Sequence, residues 1–480
     1  HFDRDAGKDN VFRRSLATIP TINAECHLIH GDRLKRFMQA ISSIPEGEDA
    51  VSLQIGNYSI DEDATAWLNG NKLFQRHAVI VGSTGSGKSW CVAKILEQVA
   101  SLKSADAILF DIHGEYSTLQ GDSFTHLKVA GPNDEMGDGM LFLPYWLLTY
   151  EEMLSLMLDR SDNNAPNQAM MFSSAVIDGK KQFLIDADKA EMEANITLDS
   201  PIPYNLDTLL SSLKSKDEEM VPGAKVGTEK QGPYFGKLTR FIQRLETKQK
   251  DKRLNFMFAS DVSLLSYNYM GELCSKLMLP SVAGKKGVKI IDFSEVPSDI
   301  LPLIVSLIAR VIFSVQQWTT VEHRHPIAIF CDEAHLYIPA NTEKSIDDAS
   351  LVTFERISKE GRKYGIGLVV ISQRPSEVNR TVLSQSNNFI AMRLTNVDDQ
   401  SVVKRLLPDS LGDYAEMLPI LDIGEALVVG DASLLPSRIR ITPPNMKPRS
   451  ATIDFWDEWS KETTAVDISS AIESLRKQSK

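Results

Sequence analysis

Ala78-Val79-Ile80-Val81-Gly82-Ser83-Thr84-Gly85-Ser86-Gly87-Lys88-Ser89-Trp90-Cys91-Val92-Ala93-Lys94-Ile95-Leu96 reads as a strand, a glycine-rich loop and a helix in succession. Its centre, Gly82 to Ser89, matches G-x-x-x-x-G-K-[ST], the phosphate-binding P-loop, and the strand–loop–helix context makes the match a site. The glycines let the backbone curl so that Gly82, Ser83, Thr84, Gly85, Ser86 and Gly87 turn N–H groups inward around phosphate oxygens. The helix that follows adds the free N–H groups of its first turn, with Trp90 beside them. Lys88 is suited to the β- and γ-phosphates of ATP, and the Ser89 hydroxyl to Mg²⁺.

Outward from this loop, apolar runs over 78–82, 106–111, 288–292, 326–331, 366–372, 388–393, 425–430 and 437–442 predict strands covered on both faces. Helical patterns between several of them point to an α/β fold with a doubly wound sheet. Residues 1–75 carry short β-like runs, such as Ala17-Thr18-Ile19 and Val51-Ser52-Leu53-Gln54-Ile55, and read as a small β-rich domain. Residues 145–285 interrupt the alternation with helical spacing and read as an inserted helical subdomain. The core is thereby divided into 76–144 and 286–445, with an arm over 446–480. Within the insert, Leu238, Phe241, Ile242 and Leu245 share a helical face. Residues 237–253 hold seven basic and two acidic side chains, either a solvated face or a phosphate-backbone contact.

The net charge is −12, from 52 basic and 64 acidic residues, which excludes a broadly basic nucleic-acid surface. Nucleic acid, if bound, is then contacted locally, for example in a channel. The start, His1-Phe2-Asp3-Arg4-Asp5, is polar, so no targeting segment is expected from it. The apolar stretch Ile300 to Trp318 is short, contains Arg310 and has Pro302 near its start, so a buried core helix fits it better than a membrane span. Cys26, Cys91, Cys274 and Cys331 are far apart, which suggests neither disulfides nor zinc and makes a cytoplasmic location the expectation.

A second run, Pro326-Ile327-Ala328-Ile329-Phe330-Cys331-Asp332-Glu333, is an apolar strand ending in two carboxylates. Asp332 is suited to holding Mg²⁺, and Glu333 to polarising a water for in-line attack on a γ-phosphate. Strand 366–372 ends in Ser372-Gln373-Arg374-Pro375, where Gln373 is placed to sense the γ-phosphate or position water. Arg356 and Arg362 are the two candidates for an arginine supplied across a subunit boundary, or else ordinary surface charges with i,i+4 partners. Asp111-Ile112-His113-Gly114-Glu115-Tyr116 closes another strand, at the sheet end where ligands gather.

The order and spacing of Gly82–Ser89, Asp111–Tyr116, Cys331-Asp332-Glu333-Ala334-His335, Glu360 through Ser376, and Gly424-Glu425-Ala426-Leu427-Val428-Val429-Gly430 resemble the HerA–FtsK superfamily, and within it the HerA family. The resemblance spans about residues 75–445 and implies a RecA-like P-loop ATPase core, an N-terminal β-barrel and an inserted helical bundle. It implies a hexameric ring that hydrolyses ATP with Mg²⁺ and translocates double-stranded DNA as a helicase. Lys88, Ser89, Asp332, Glu333 and Gln373 then take the roles read above, with Arg356 or Arg362 acting in trans. Partners implied are nucleases in DNA end processing, or sirtuin-like and nuclease-like effectors in antiviral defence, and no membrane. An ATP-controlled scaffold for an effector, or a secretion-type ATPase of the same superfamily, remains the alternative.

Overall fold

The computed structural model describes residues 2–3, 11–12, 21–41, 53–225, 227–280, 287–342, 345–407, 412–433, 435–449, 455–461 and 468–477. Its centre is a twelve-stranded sheet. In chain order the strands are β1 (Leu53–Tyr58), β2 (Asp61–Leu68), β3 (Ala78–Val81), β4 (Ala107–Asp111), β5 (Phe124–Val129), β6 (Met140–Leu141), β7 (Val288–Asp292), β8 (Ile327–Cys331), β9 (Ile366–Ser372), β10 (Asn388–Met392), β11 (Glu425–Gly430) and β12 (Ser437–Ile441). Their order across the sheet is β2-β1-β12-β11-β10-β3-β9-β8-β4-β7-β5-β6. The eight strands from β10 to β6 run parallel, and β11, β12, β1 and β2 continue the sheet antiparallel. All eight apolar runs expected to be strands are strands of this sheet, within a residue at each end.

Alternation along the central strands splits the core into two layers. Val79, Val81, Ile108, Phe110, Ile329, Cys331, Leu368 and Val370 face one layer, and Ala78, Ile80, Ala107, Leu109, Ala328, Phe330, Val369 and Ile371 face the other. Both faces are covered, which is why these strands are apolar throughout. The second layer is closed by α1 (Lys88–Ala100), which buries Cys91, Val92, Ile95 and Leu96.

The first layer holds most of the segment between β6 and β7. That segment contains α2 (Tyr150–Met157), α3 (Ala165–Asp186), α4 (Leu206–Asp217), a short hairpin of Met220–Pro222 with Glu229–Gln231, and α5 (Thr239–Lys250). Leu238, Phe241, Ile242 and Leu245 are buried on one side of α5, in a core continuous with that of the sheet. The same layer holds α6 (Leu301–Trp318), with Pro302 in its first turn, and α7 (Ser345–Glu360). Helix α6 is long and apolar enough to cross a membrane, yet 72% of it is buried inside the molecule. Its one charge, Arg310, donates to both carboxylate oxygens of Glu152 at 2.8 Å and to the Leu147 carbonyl at 2.7 Å. Glu152 is also the partner of Thr149 in a capping box, so one carboxylate caps α2 and ties it to α6.

Two expected boundaries are corrected. Leu53–Leu68, assigned to a separate β-rich domain over 1–75, are β1 and β2 of the central sheet, because β1 pairs with β12 through Tyr58–Ile439 and Gly56–Ile441. Gly56 is required there: a Cβ would lie 2.0 Å from the Arg440 carbonyl oxygen. Before β1, the described residues form a two-stranded pair, Phe2–Asp3 with Val11–Phe12, and a helix over Gly31–Ile41, with no barrel among them. The run Ala17-Thr18-Ile19 lies outside the described residues. Likewise Met446 to Arg449, assigned to the arm, pack on the body: the Met446 N–H donates to Glu97 of α1 and the Arg449 N–H to the Glu115 carbonyl, each at 2.7 Å.

Candidate nucleotide site

Strand β3 ends buried between β9 and β10, and the P-loop leaves from its carboxyl end. Gly85 (φ 72°) and Gly87 (φ 103°) adopt the left-handed conformation that the curl demands. Gly82 has no room for a side chain, since a Cβ would meet Ser86 Oγ at 2.5 Å and Met392 at 2.8 Å. The loop is held from behind: Ser83 N–H donates to the Arg393 carbonyl at 2.8 Å, and Gly424 N–H to the Ser86 carbonyl at 3.0 Å. Lys88 opens α1. Ser86 Oγ is buried and finds no hydrogen-bond partner among the described residues.

Asp332 and Glu333 follow the carboxyl end of β8. Asp332 is buried, and its carboxyl is pushed well above the usual range by burial first, then by the charges of Glu333, Asp111 and Glu115. Lys88 opposes that shift, and burial in turn lowers the Lys88 ammonium while Glu333, Asp332 and Glu115 raise it. Lys88, Glu115, Asp332 and Glu333 are therefore within electrostatic reach of one another. Glu333 is one of three non-glycine residues among those described with positive φ (45°), a strained backbone of the kind found at functional sites. Its Oε2 is buried without a hydrogen bond, although His335 Nδ1 lies 3.3 Å away.

Gln373 follows β9 and accepts a 2.7 Å hydrogen bond from the Thr84 hydroxyl of the P-loop. The structure thus brings Gly82–Ser89, Asp332, Glu333 and Gln373 to one end of the sheet. Trp90 lies just inside α1, half-buried, with Lys447 over its ring at 5.3 Å. Arg356 and Arg362 are not brought there. Arg356 packs over the Phe313 ring at 4.7 Å and contacts Gln317 and Glu360. Arg362 follows α7 in the turn Gly361–Tyr364, and its charge is felt at His77, at the opposite end of β3.

Three residues near the site escaped the sequence reading as individuals. Glu115 Oε2 accepts the Ser89 hydroxyl at 3.0 Å, held by a loop whose Glu115 and Tyr116 N–H groups cap the Asp111 carboxylate. The signal for it was the Asp111–Tyr116 motif. Arg393 follows β10 against the P-loop, and its Nε is buried without a hydrogen-bond partner among the described residues. His335 stands beside Glu333. For Arg393 no pattern in the sequence marks the contact, whereas His335 closes the Cys331–His335 motif.

The donor set fits a hard cation beside a nucleotide. The Ser89 hydroxyl and the Asp332 carboxylate are oxygen ligands at the mouth of the loop, and the glycine curl, with the unpartnered Ser86 hydroxyl, is a cradle that side chains would fill. Away from this site, three of the seven basic side chains in the insert's run, Arg240, Arg244 and Arg253, have carboxylate partners among the described residues, and the run's own Glu246 is taken by Lys214 from outside it. Arg244 pairs with Asp159 at 2.6 Å, Arg240 approaches Asp162 at 4.0 Å, and Lys214 pairs with Glu246.

Comparison with known proteins places the chain. Residues 53–312 match the family profile described as "Helicase HerA, central domain", which begins at the first residue of β1. A probable DNA double-strand break repair helicase HerA of Methanocaldococcus jannaschii is 25% identical over 437 residues, covering 85% of this chain and 79% of that protein. The DNA double-strand break repair helicase HerA of Saccharolobus solfataricus is 26% identical over 418 residues, covering 85% and 72%. Among solved structures, VirB4 of Thermoanaerobacter pseudethanolicus superposes with a TM-score of 0.53 at 15% identity, covering 84% of this chain and 99% of that one. The plasmid coupling protein TrwB in complex with a non-hydrolysable ATP analogue gives 0.52 at 13% identity, covering 90% and 98%. Both are likenesses of fold.

Proposed function

Because this chain belongs to the HerA helicase family, its central-domain profile matching residues 53–312 of 480, we propose that it is an ATP-driven translocase of double-stranded DNA working as a ring of identical copies. The observation that carries this reading is the convergence of Lys88, Ser89, Asp332, Glu333 and Gln373, from separate segments, at one end of a parallel sheet. In such sheets ligands bind outside the carboxyl ends of the strands.

The roles follow from position. The P-loop N–H groups and Lys88 hold the phosphates, and Ser89 and Asp332 hold Mg²⁺, which when bound neutralises phosphate charge. Glu333 takes a proton from the attacking water as its oxygen forms a bond to the γ-phosphorus and the bridging bond to the β-phosphate breaks. Glu333 Oε2, buried and without a hydrogen bond, is free to accept that proton. Gln373, fixed by Thr84, faces the phosphate-binding loop. Neither Arg356 nor Arg362 reaches the site of its own chain, which agrees with one of them serving a neighbouring copy and supports a ring. Of the two, Arg362 is the better candidate, since Arg356 is engaged by Phe313, Gln317 and Glu360. A partner nuclease or effector subunit completes the proposal, in keeping with relatives described as DNA double-strand break repair helicases.

ATP turnover with and without duplex DNA tests the reading. We expect DNA to raise turnover, and Glu333→Gln to abolish hydrolysis while nucleotide is still bound. Turnover indifferent to duplex DNA, both alone and with the product of the neighbouring gene, would remove the translocase assignment in favour of an ATP-controlled scaffold.

A further inference from the structure

We infer that His335 is a positioning residue that sets the orientation of Glu333 according to the state of the tip of β9. The inference rests on Glu333 being the base. His335 lies in the turn Ala334–Leu336 after Glu333, with its side chain about nine-tenths buried. Its Nδ1 is 3.3 Å from Glu333 Oε2 and also 3.3 Å from Ser372 Oγ. One ring nitrogen cannot serve both. When Nδ1 carries the proton it can donate to the Glu333 carboxylate, and the Ser372 hydroxyl must turn elsewhere. When Nδ1 is bare it accepts from the Ser372 hydroxyl, and the Glu333 carboxylate loses the imidazole as a donor. The two arrangements exclude each other.

Ser372 is the last residue of β9, and the same tip touches the P-loop. Ser372 Oγ accepts the Arg374 N–H at 3.0 Å, and Gln373 between them accepts the Thr84 hydroxyl at 2.7 Å. A chain of contacts therefore runs from Thr84 through Gln373 and Ser372 to His335 and Glu333. Phosphate entering the loop competes for Thr84, frees Gln373 and shifts the tip, and His335 converts that shift into a turn of the carboxylate. The device would keep the base from activating water before the γ-phosphate is in place.

The test uses the full chain with three variants. His335→Ala should lower kcat by about 10- to 100-fold, part of the roughly 10²–10⁴-fold that a correctly placed general base supplies, while the affinity for ATP changes by less than about threefold. His335→Asn, whose amide can occupy the place of Nδ1, should restore part of kcat. Ser372→Ala should lower kcat alone but add little in the His335→Ala background, because the two act as one unit. Independently of activity, amide exchange of the segment 370–377 without nucleotide should quicken in His335→Ala. Full activity in His335→Ala overturns the inference. So does a loss of kcat matched by a loss of nucleotide affinity and of thermal stability, with no rescue by Asn. Glu333→Gln in parallel keeps the two readings apart: rapid hydrolysis by that variant sinks the base assignment itself, whereas an inactive Glu333→Gln beside a fully active His335→Ala sinks only the role of His335.

Discussion

Acidification should loosen the strand that carries the P-loop, through His77. His77 is the residue before β3, buried, with positive φ (54°). Its Nδ1 accepts the Leu368 N–H of β9 at 3.0 Å, so the ring proton sits on Nε2, which donates to the Ser358 carbonyl at 3.1 Å. Both bonds require the neutral ring, since a second proton would set Nδ1–H against the Leu368 N–H. Burial lowers the pKa from 6.5 to about 4; the Ser358 carbonyl opposes this, and Arg362 adds to it.

The folded value lies below the unfolded one, so the unfolded chain binds a proton that the native state refuses. The contribution of His77 is fully present above about pH 6.5 and is lost as pH falls toward about 4. The difference, 6.5 − 4 = 2.5 pH units, corresponds to about 3.4 kcal/mol at 1.36 kcal/mol per unit. His77→Asn is the comparator. Asn tolerates the left-handed backbone, offers Oδ1 to the Leu368 N–H and does not titrate. Urea unfolding followed by tryptophan fluorescence, in steps from about pH 7.5 to about pH 4, measures both proteins. The stability of the native chain relative to His77→Asn should fall by about 3 kcal/mol across that window. A relative change below about 1 kcal/mol would refute the assignment of His77 as a buried neutral ring.

Gln373→Ala should cost about 100-fold in kcat, the scale of losing one fixed polar group at a phosphoryl-transfer site, with nucleotide affinity nearly unchanged in equilibrium binding. Gly424→Ala meets no atom within 4 Å, so its cost is backbone strain at φ 80°, about 1–2 kcal/mol in thermal unfolding. Because the Gly424 N–H holds the Ser86 carbonyl, the same variant should also weaken ATP binding. Lys289→Met leaves the Asp106 carboxylate, its partner at 2.7 Å and equally buried, without a counter-charge, and should cost about 3–5 kcal/mol. Replacing both by apolar residues should recover most of that loss in the same assay. Leu303→Ala, at a fully buried position of α6, should cost about 2–5 kcal/mol.

What could be read from sequence was what is written in local pattern. The parallel strands are apolar runs because both faces are covered, and Lys88, Ser89, Asp332, Glu333 and Gln373 sit at strand ends in short recognisable strings. Strand β5 was missed because polar residues interrupt its apolar ones. Phe124, Leu127 and Val129 are buried, but Lys128 between them is accommodated by Asp134 and by Glu295, which is distant in sequence. The hairpin of β1 and β2 was placed in the wrong unit because only its pairing with β12, nearly 400 residues away, makes it part of the sheet. Glu115 was visible as part of a motif, but its bond to Ser89 needs the loop that Asp111 organises. The packing of Arg356 on Phe313 joins two helices and has no local signature.

The position of β3 in the sheet has a consequence during protein synthesis. Both its neighbours, β9 and β10, lie in the last quarter of the chain, and β5 waits for β7 across 288 − 129 = 159 residues. At translation rates of about 5–20 residues per second, the P-loop strand emerges from the ribosome some 15–60 seconds before anything can pair with it. Through that interval Ala78–Val81 is an apolar segment with open edges, the kind of surface chaperones shield. ATP therefore cannot template folding of the nascent chain, because its binding site is closed by some of the last strands to be made.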